Sequence, residues 1–227
     1  MSEAQHLQLL LVGATGLVGS ALIAATAQHR TVQLAALARR EAPLPQGARL
    51  EMLVADPTEW SAAIARARPE ALVIALGTTM ANVGGDRQKF VGVDHDLVLQ
   101  VARAARTAGT RQLVLVSSVG ADPASRNFYL SVKGKTETAV QALHFPRLDI
   151  LRPGLLRGRR SGMPRRLERM GQIVAPLVDP LLHGRMAAFR SIHARDVARA
   201  IVALAGQTGR GRHVHATPDL LRLAHGA

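Results

Sequence analysis

Cysteine is absent from the 227 residues, which removes disulfides, thiolate metal sites and cysteine nucleophiles and gives no sign of an oxidising compartment. Lysine is scarce too, with Lys89, Lys133 and Lys135 standing against 29 basic residues in total, so arginine carries the formal charge of +13. Such a field attracts polyanions. Aromatic residues make up only 3% of the chain, however, and the interleaved rings that would stack nucleic-acid bases are missing, so a nucleic-acid partner is the least favoured reading. The arginines are scattered through segments rich in alanine and leucine, a pattern of compositional bias more than of a selected anionic partner. Long hydrophobic runs are lacking as well. None approaches the roughly 18 residues of a membrane span, and Leu7–Val12 runs straight into a glycine turn with no basic segment before it, unlike a signal peptide. The expectation is a soluble, cytoplasmic protein with no membrane partner.

What is present is 48% hydrophobic sequence, enough to bury the core of one ordinary domain. Apolar runs bounded by turn residues occur at Leu7–Val12, Val32–Leu37, Leu50–Ala55, Ala71–Leu76, Gln112–Ser117, Leu148–Leu151 and His213–His215. Between them, Leu17–His29, Glu59–Ala67, Asp94–Ala108, Ser131–Leu143 and Arg195–Ala205 carry apolar residues at helical spacing. Strands alternating with helices predict an α/β fold with a doubly wound parallel sheet, Rossmann-like, and a ligand crevice at the C-terminal ends of the strands. Residues 1–227 read as one domain. The segment Arg157–Arg190, rich in Arg, Pro and Gly, breaks the alternation and reads as a small substrate-side lobe.

The first strand ends in Gly13-Ala14-Thr15-Gly16-Leu17-Val18-Gly19, a GxxGxxG turn that opens a helix. Gly13 permits the bend, Gly16 lets backbone approach a pyrophosphate, Gly19 permits close packing, and the helix N-terminus offers free N–H groups and a positive dipole end. A dinucleotide is the ligand this pattern predicts. At the end of the second strand, where an NAD-selective protein would place an acidic residue against the ribose, stand Arg39 and Arg40. A guanidinium pairs bidentately with a 2′-phosphate, so NADP(H) is favoured over NAD(H). Asp56 would lie near the adenine, and Leu76, Gly77 and Thr78 would let the fourth strand's end pass close to the cofactor.

The fifth strand runs into Ser117-Ser118, and the helix after it carries Tyr129 and Lys133 at i and i+4. That spacing puts both on one helix face, where an ammonium favours a phenolate and the phenol can serve as general acid or base. A strand-end serine can hydrogen-bond the same substrate oxygen, so a carbonyl could be polarised beside a nicotinamide. Tyr129 is the chain's single tyrosine.

With these residues in place the sequence resembles the short-chain dehydrogenase/reductase superfamily in its atypical or extended branch. The resemblance runs from the glycine turn through Ser-Ser and Tyr-x-x-x-Lys to Arg152-Pro153-Gly154 and His193-Ala194-Arg195-Asp196-Val197-Ala198. Within that branch it looks most like the Tat-interacting-protein oxidoreductases, on Leu76-Gly77-Thr78-Thr79, Val93-Asp94, Ser117-Ser118-Val119-Gly120-Ala121-Asp122 and Tyr129-Leu130-Ser131-Val132-Lys133-Gly134-Lys135. The resemblance implies NADP(H) binding, Tyr129 as acid/base, Lys133 on the nicotinamide ribose and Ser118 on the substrate oxygen, with Ser117 as the alternative serine. It also implies that Pro153 and Gly154, with Leu155 following, lie near the nicotinamide amide. Asp94 departs from the Asn that many relatives carry. The branch also contains cofactor-binding regulators, so a non-catalytic NADP(H)-binding redox sensor is the second reading beside an oxidoreductase acting on a small-molecule carbonyl or alcohol.

Arg157, Arg159, Arg160, Arg165, Arg166 and Arg169 could hold an anionic part of a substrate, although a solvated basic loop is the plainer account. His213 and His215 share a strand face but find no third ligand at metal spacing, so no metal is expected, and His193 reads as structural. A monomer or homodimer fits these features.

Overall fold

The structure is a computed structural model describing residues 6–27, 29, 31–41, 44, 47–48, 50–158 and 182–226. Strand β1 (Leu7–Val12) leads through helix α1 (Leu17–Thr26) to β2 (Val32–Ala38), and β3 (Leu50–Val54) through a 3₁₀ turn (Pro57–Glu59) and α2 (Trp60–Ala67) to β4 (Ala71–Ile74). One long helical stretch follows, made of α3 (Arg87–Val91), a π-helical segment (Gly92–Leu97) and α4 (Val98–Thr107), before β5 (Gln112–Val116), α5 (Phe128–Gln141) and β6 (Arg147–Arg152). All six strands are parallel neighbours in the order β3-β2-β1-β4-β5-β6. This is the doubly wound Rossmann-like sheet that the alternation predicts, and its order reverses between β1 and β4, where such sheets bind ligands.

Alternate residues of each strand point to opposite faces, and the two faces build two cores. Leu9 and Leu11 pack with Val18, Leu22, Ile23, Val197 and Ile201. Leu10 and Val12 pack with Trp60, Ile64, Val98, Val101 and Ala102 on the other side. The second half of the chain adds a short parallel pair, β7 (Leu156–Arg157) with β8 (Ile192–His193), and a 3₁₀ helix (Gly184–Phe189). Then come α6 (Ala194–Leu204), β9 (Gly211–Ala216) and α7 (Thr217–His225). Strand β9 joins the main sheet beside β6 in parallel. Of the expected substrate-side lobe, residues 159–181 lie outside the described residues, and with them Arg159, Arg160, Arg165, Arg166 and Arg169.

Two helices start well before the sequence reading places them. The helix expected at Asp94 starts at Arg87, because Asp86 caps it by accepting from the backbone N–H groups of Gln88 and Lys89. The helix expected at Ser131 starts at Phe128, because the Asn127 side chain accepts from the N–H of Leu130. Helix α7 carries Pro218 in its first turn, while the Asp219 carboxylate accepts from the N–H of Ala216 at 3.0 Å.

Toward the strands' N-terminal ends a polar cluster ties the last strands together. Asp149 is fully buried and accepts from Arg147 Nε at 2.7 Å and Gln112 Nε2 at 2.9 Å, with His215 Nε2 at 3.0 Å. Burial pushes its carboxyl upward, but hydrogen bonds from His215, Arg147 and Gln112 outweigh that and hold it below the usual carboxylate value. His215 thus has a defined partner, and its ring stacks on that of His213 with the centroids 6.4 Å apart.

Candidate active site

The glycine turn is a cradle formed by close backbone approaches. Gly13 has φ 106°, and a Cβ there would lie 2.5 Å from the Ala75 carbonyl oxygen. The turn thus sits against the end of β4, and only glycine fits. A Cβ on Gly19 would meet the Gly13 oxygen at 2.1 Å, so the close packing it permits is against the turn itself. Gly16 occupies the N-cap of α1 with no side-chain cap and no acidic residue in the first turn. Anion-binding N–H groups at a positive dipole end are what this arrangement offers. Thr15 is exposed and Leu17 half-buried, whereas the Val18 side chain is buried in the core, leaving only its backbone for a ligand. The residues present fit a dinucleotide's pyrophosphate.

Arg39 and Arg40 emerge exposed from the end of β2, and no ion pair engages either among the described residues. Asp56 is exposed after β3, but its Oδ1 caps the 3₁₀ turn by accepting from Thr58 N at 3.0 Å and Thr58 Oγ1 at 2.6 Å. Those hydrogen bonds hold its carboxyl below the ordinary value. One oxygen of this side chain is thus committed to local structure.

Beyond β4, Leu76 is half-buried and Gly77 exposed. A Cβ on Gly77 would lie 3.6 Å from Asp94 Oδ1 and 3.8 Å from Lys133 Nζ. Asp94, on the π-helical segment, is 0% exposed. It pairs through Oδ1 with Lys133 Nζ at 2.8 Å and accepts through Oδ2 from the N–H of Thr78, also at 2.8 Å. The Thr136 hydroxyl donates to its backbone carbonyl at 2.9 Å. A π-turn inside a helix is a frequent device at functional sites, and here the carboxylate it carries ties the β4 loop to α5.

Helix α5 places Tyr129 in its first turn, half-buried, with the ring 5.9 Å from that of Phe90 in an edge arrangement. Lys133 Nζ lies 6.0 Å from the Tyr129 ring centroid, so the two residues share a face as their spacing requires. The helix can approach this region because of Gly134, where a Cβ would sit 2.2 Å from the backbone of Asp122 and Pro123. One turn further on, buried Glu137 accepts from Ser117 Oγ at 2.5 Å and from Arg152 Nε and Nη2. Ser117 is thereby committed to a buried network. Among the described residues the Ser118 hydroxyl, half-buried at the same strand end, has a long contact of 3.3 Å with the Val119 carbonyl and no place in that network.

At the end of β6, Pro153 is buried and its carbonyl accepts from the N–H of Val119 at 3.0 Å. The Gly154 N–H donates to Thr217 Oγ1 at 2.9 Å, and a Cβ there would meet the Arg190 carbonyl at 2.1 Å. Leu155 is 55% exposed. His193 occupies the N-cap of α6, where burial, then Arg157 and Arg195, push its imidazole pKa down against the pull of Asp196.

The structure therefore joins the glycine turn to β4, the β4 loop to Asp94 and Lys133, and the β5 end to α5 and β6, all along one edge of the sheet. Arg39, Arg40 and Asp56 stand at its far end. Asp94 and Glu137 carry more of this architecture than sequence reasoning assigned them. The signal for Glu137 was its position eight residues after Tyr129 and four after Lys133, on the same helix face. Among the described residues no group of three His, Cys, Asp or Glu is arranged to hold a metal, and no helix is long and apolar enough to cross a membrane.

Fold and turn together define a Rossmann-type dinucleotide-binding protein. Residues 13–208 match a family described as NAD(P)H-binding, and the chain belongs to it. It is similar to Protein FMP52, mitochondrial, of Saccharomyces cerevisiae, 41% identical over 155 residues that cover 67% of each chain. The Eremothecium gossypii protein of the same name is 37% identical over 201 residues, 86% of this chain and 87% of that one. Among solved structures, MoeE5 in complex with UDP-glucuronic acid and NAD superposes with a TM-score of 0.69 at 18% identity, over 91% of this chain and 75% of that one. Bordetella bronchiseptica WbmG in complex with NAD gives 0.66 at 18% identity, over 96% and 74%. These two show the shared fold.

The relatives' names correct one expectation. Both are mitochondrial proteins by name, against the cytoplasmic setting inferred from composition. The inference failed because lack of cysteine argues only against an oxidising compartment, and does not distinguish one reducing compartment from another.

Proposed function

We propose that this chain is an NADP(H)-dependent oxidoreductase of the short-chain type, in the branch of the Tat-interacting-protein oxidoreductases, reducing a carbonyl or oxidising an alcohol of a small molecule. The observation that carries this reading is the face of α5. Tyr129 and Lys133 stand one turn apart on it, Lys133 Nζ is fixed at 2.8 Å from a fully buried Asp94, and among the described residues the neighbouring Ser118 hydroxyl has no place in the Glu137 network. The preference for a 2′-phosphate rests on exposed Arg39 and Arg40, which no ion pair engages among the described residues.

The uncapped start of α1 and the Gly13–Gly16 turn would hold the pyrophosphate, Lys133 the nicotinamide ribose, and the backbone from Pro153 to Leu155 the amide end. When bound, the nicotinamide supplies a hydride to a carbonyl carbon or accepts one from an alcohol carbon. The Tyr129 hydroxyl donates the proton that the carbonyl oxygen gains, or removes it in the reverse direction. Ser118 donates a hydrogen bond to that oxygen and fixes its position. Asp94 acts through Lys133, holding the ammonium where the ribose would lie.

Substitution Tyr129→Phe keeps the ring against Phe90 and removes the proton donor. NADPH consumption with a carbonyl substrate is expected to fall by roughly 10²- to 10⁴-fold, the usual contribution of general acid–base catalysis, with NADPH affinity by fluorescence titration unchanged. Equal turnover in the variant would discard the mechanism, and cofactor binding without turnover in the wild type would favour the redox-sensing regulator. The same titration with NADH should show weaker binding, and Arg39→Ala with Arg40→Ala should erase the difference.

A further inference from the structure

Aromatic side chains are few, yet they are not spread evenly. Of the chain's six, Trp60 and Phe145 are buried in the core under α2 and α4. The other four gather at the start of α5. Phe128 and Tyr129 belong to its first turn, the Phe90 ring lies 5.6 and 5.9 Å from theirs, and Phe189 Cε1 comes within 3.9 Å of a Cβ built on Gly120. Gly120 follows Ser118-Val119, and Leu130, beside Tyr129, lies 3.4 Å from the same built Cβ.

Exposed apolar side chains show the same concentration. Six large ones are exposed among the described residues, and three of them are Leu155 at 55%, Met186 at 52% and Phe189 at 46%. These three converge through the backbone, since Gly154 sits directly under the Phe189 and Arg190 carbonyls. Met186 and Phe189 are three residues apart on a 3₁₀ helix, a spacing that stacks side chains on one side. Arg190, next to Phe189, donates through Nε to the Leu182 carbonyl at 2.7 Å. An apolar wall continuous with Ser118 and Tyr129 recognises a hydrophobic body.

We infer that the substrate of this site is a carbonyl, or the corresponding alcohol, on an apolar body such as a medium-length alkyl chain, which Leu130, Leu155, Met186 and Phe189 cover. The inference rests on the proposed oxidoreductase reading and narrows it. In the reductive direction the carbonyl carbon receives the hydride of NADPH, its oxygen receives the Tyr129 proton, and the products are the alcohol and NADP+, with solvent reprotonating the tyrosine.

The test is a homologous series from propanal to octanal, with glyceraldehyde and glyoxylate as polar and anionic comparisons, read by NADPH absorbance with the full chain. The expected result is a kcat/KM that rises with chain length, by up to roughly threefold to fourfold per methylene at full burial. Phe189→Ser and Met186→Ser should flatten that rise while NADPH affinity stays within about twofold, since a side chain acting on substrate alone leaves cofactor binding untouched. Turnover of propanal with no gain along the series overturns the inference and leaves the oxidoreductase reading standing, as does preferential turnover of glyoxylate. If no aldehyde is reduced although NADPH binds, the oxidoreductase reading fails, and calorimetry with the NADP+ complex still decides the substrate class. Binding of 1-octanol at least tenfold tighter than 1-propanol supports the apolar site, and equal binding overturns it.

Discussion

At the scale of single residues, the pair Asp94 and Lys133 is the centre of the candidate site. A buried ammonium and a buried carboxylate are each costly to desolvate, and together they are tolerated because each answers the other's charge. Removing one partner exposes that cost. Asp94→Asn keeps the shape and an acceptor for the Thr78 N–H but leaves Lys133 without its countercharge, so a loss of about 3–5 kcal/mol in urea unfolding is expected. Lys133→Met on top of it removes the stranded charge and should restore most of the stability but no activity. Simple addition of the two losses would show that the residues do not act as a pair. An Asn could not replace Asp94 in both contacts, because its single oxygen would have to choose between Thr78 and Lys133. That is the physical content of a carboxylate at this position.

At the scale of elements, helix α5 carries Tyr129, Lys133 and Glu137 on one face, and its distance from the sheet edge is set by a residue without a side chain. Gly134→Ala would drive a Cβ into the Asp122–Pro123 backbone at 2.2 Å. Such overpacking typically costs about 1–3 kcal/mol, and because the shift moves Tyr129 and Lys133 together, kcat should fall more steeply than stability. Thermal unfolding and NADPH turnover measured side by side check this, and a variant with full activity would free α5 from the constraint. The shared face of Tyr129 and Lys133 was legible in the sequence, since residues at i and i+4 need only local geometry. Its partners were not. The choice between Ser117 and Ser118 depends on Glu137, 20 residues downstream, and the hold on Lys133 depends on Asp94, on a helix packed alongside. The start of α3 at Arg87 was hidden in the same way, because Asp86 caps a helix whose first turns lack the apolar repeat that periodicity detects.

At the scale of the whole molecule, the sheet separates the candidate site from a buried polar cluster. The glycine turn, the β4 loop, Ser118 and Pro153 lie at the C-terminal ends of the strands, while the buried cluster of Gln112, Arg147, Asp149 and His215 lies toward the other end and joins β5, β6 and β9. Asp149 has a carboxyl whose folded pKa is depressed, so the unfolded chain binds the proton more readily. Its contribution to stability is therefore complete above the unfolded carboxylate value, near 3.8, and is lost as pH falls through the lower folded value. Asp149→Asn should lower stability by about 3 kcal/mol near neutral pH by stranding the Arg147 guanidinium, and should flatten the decline below pH of about 4 because one linked titration is gone. NADPH affinity should stay at the wild-type value, since the cluster and the glycine turn share no side chain. Urea unfolding at stepped pH, with cofactor titration alongside, separates these outcomes. A parallel acid decline in both proteins would remove Asp149 from the acid response, and a loss of cofactor affinity in the variant would show that the two ends of the sheet are coupled.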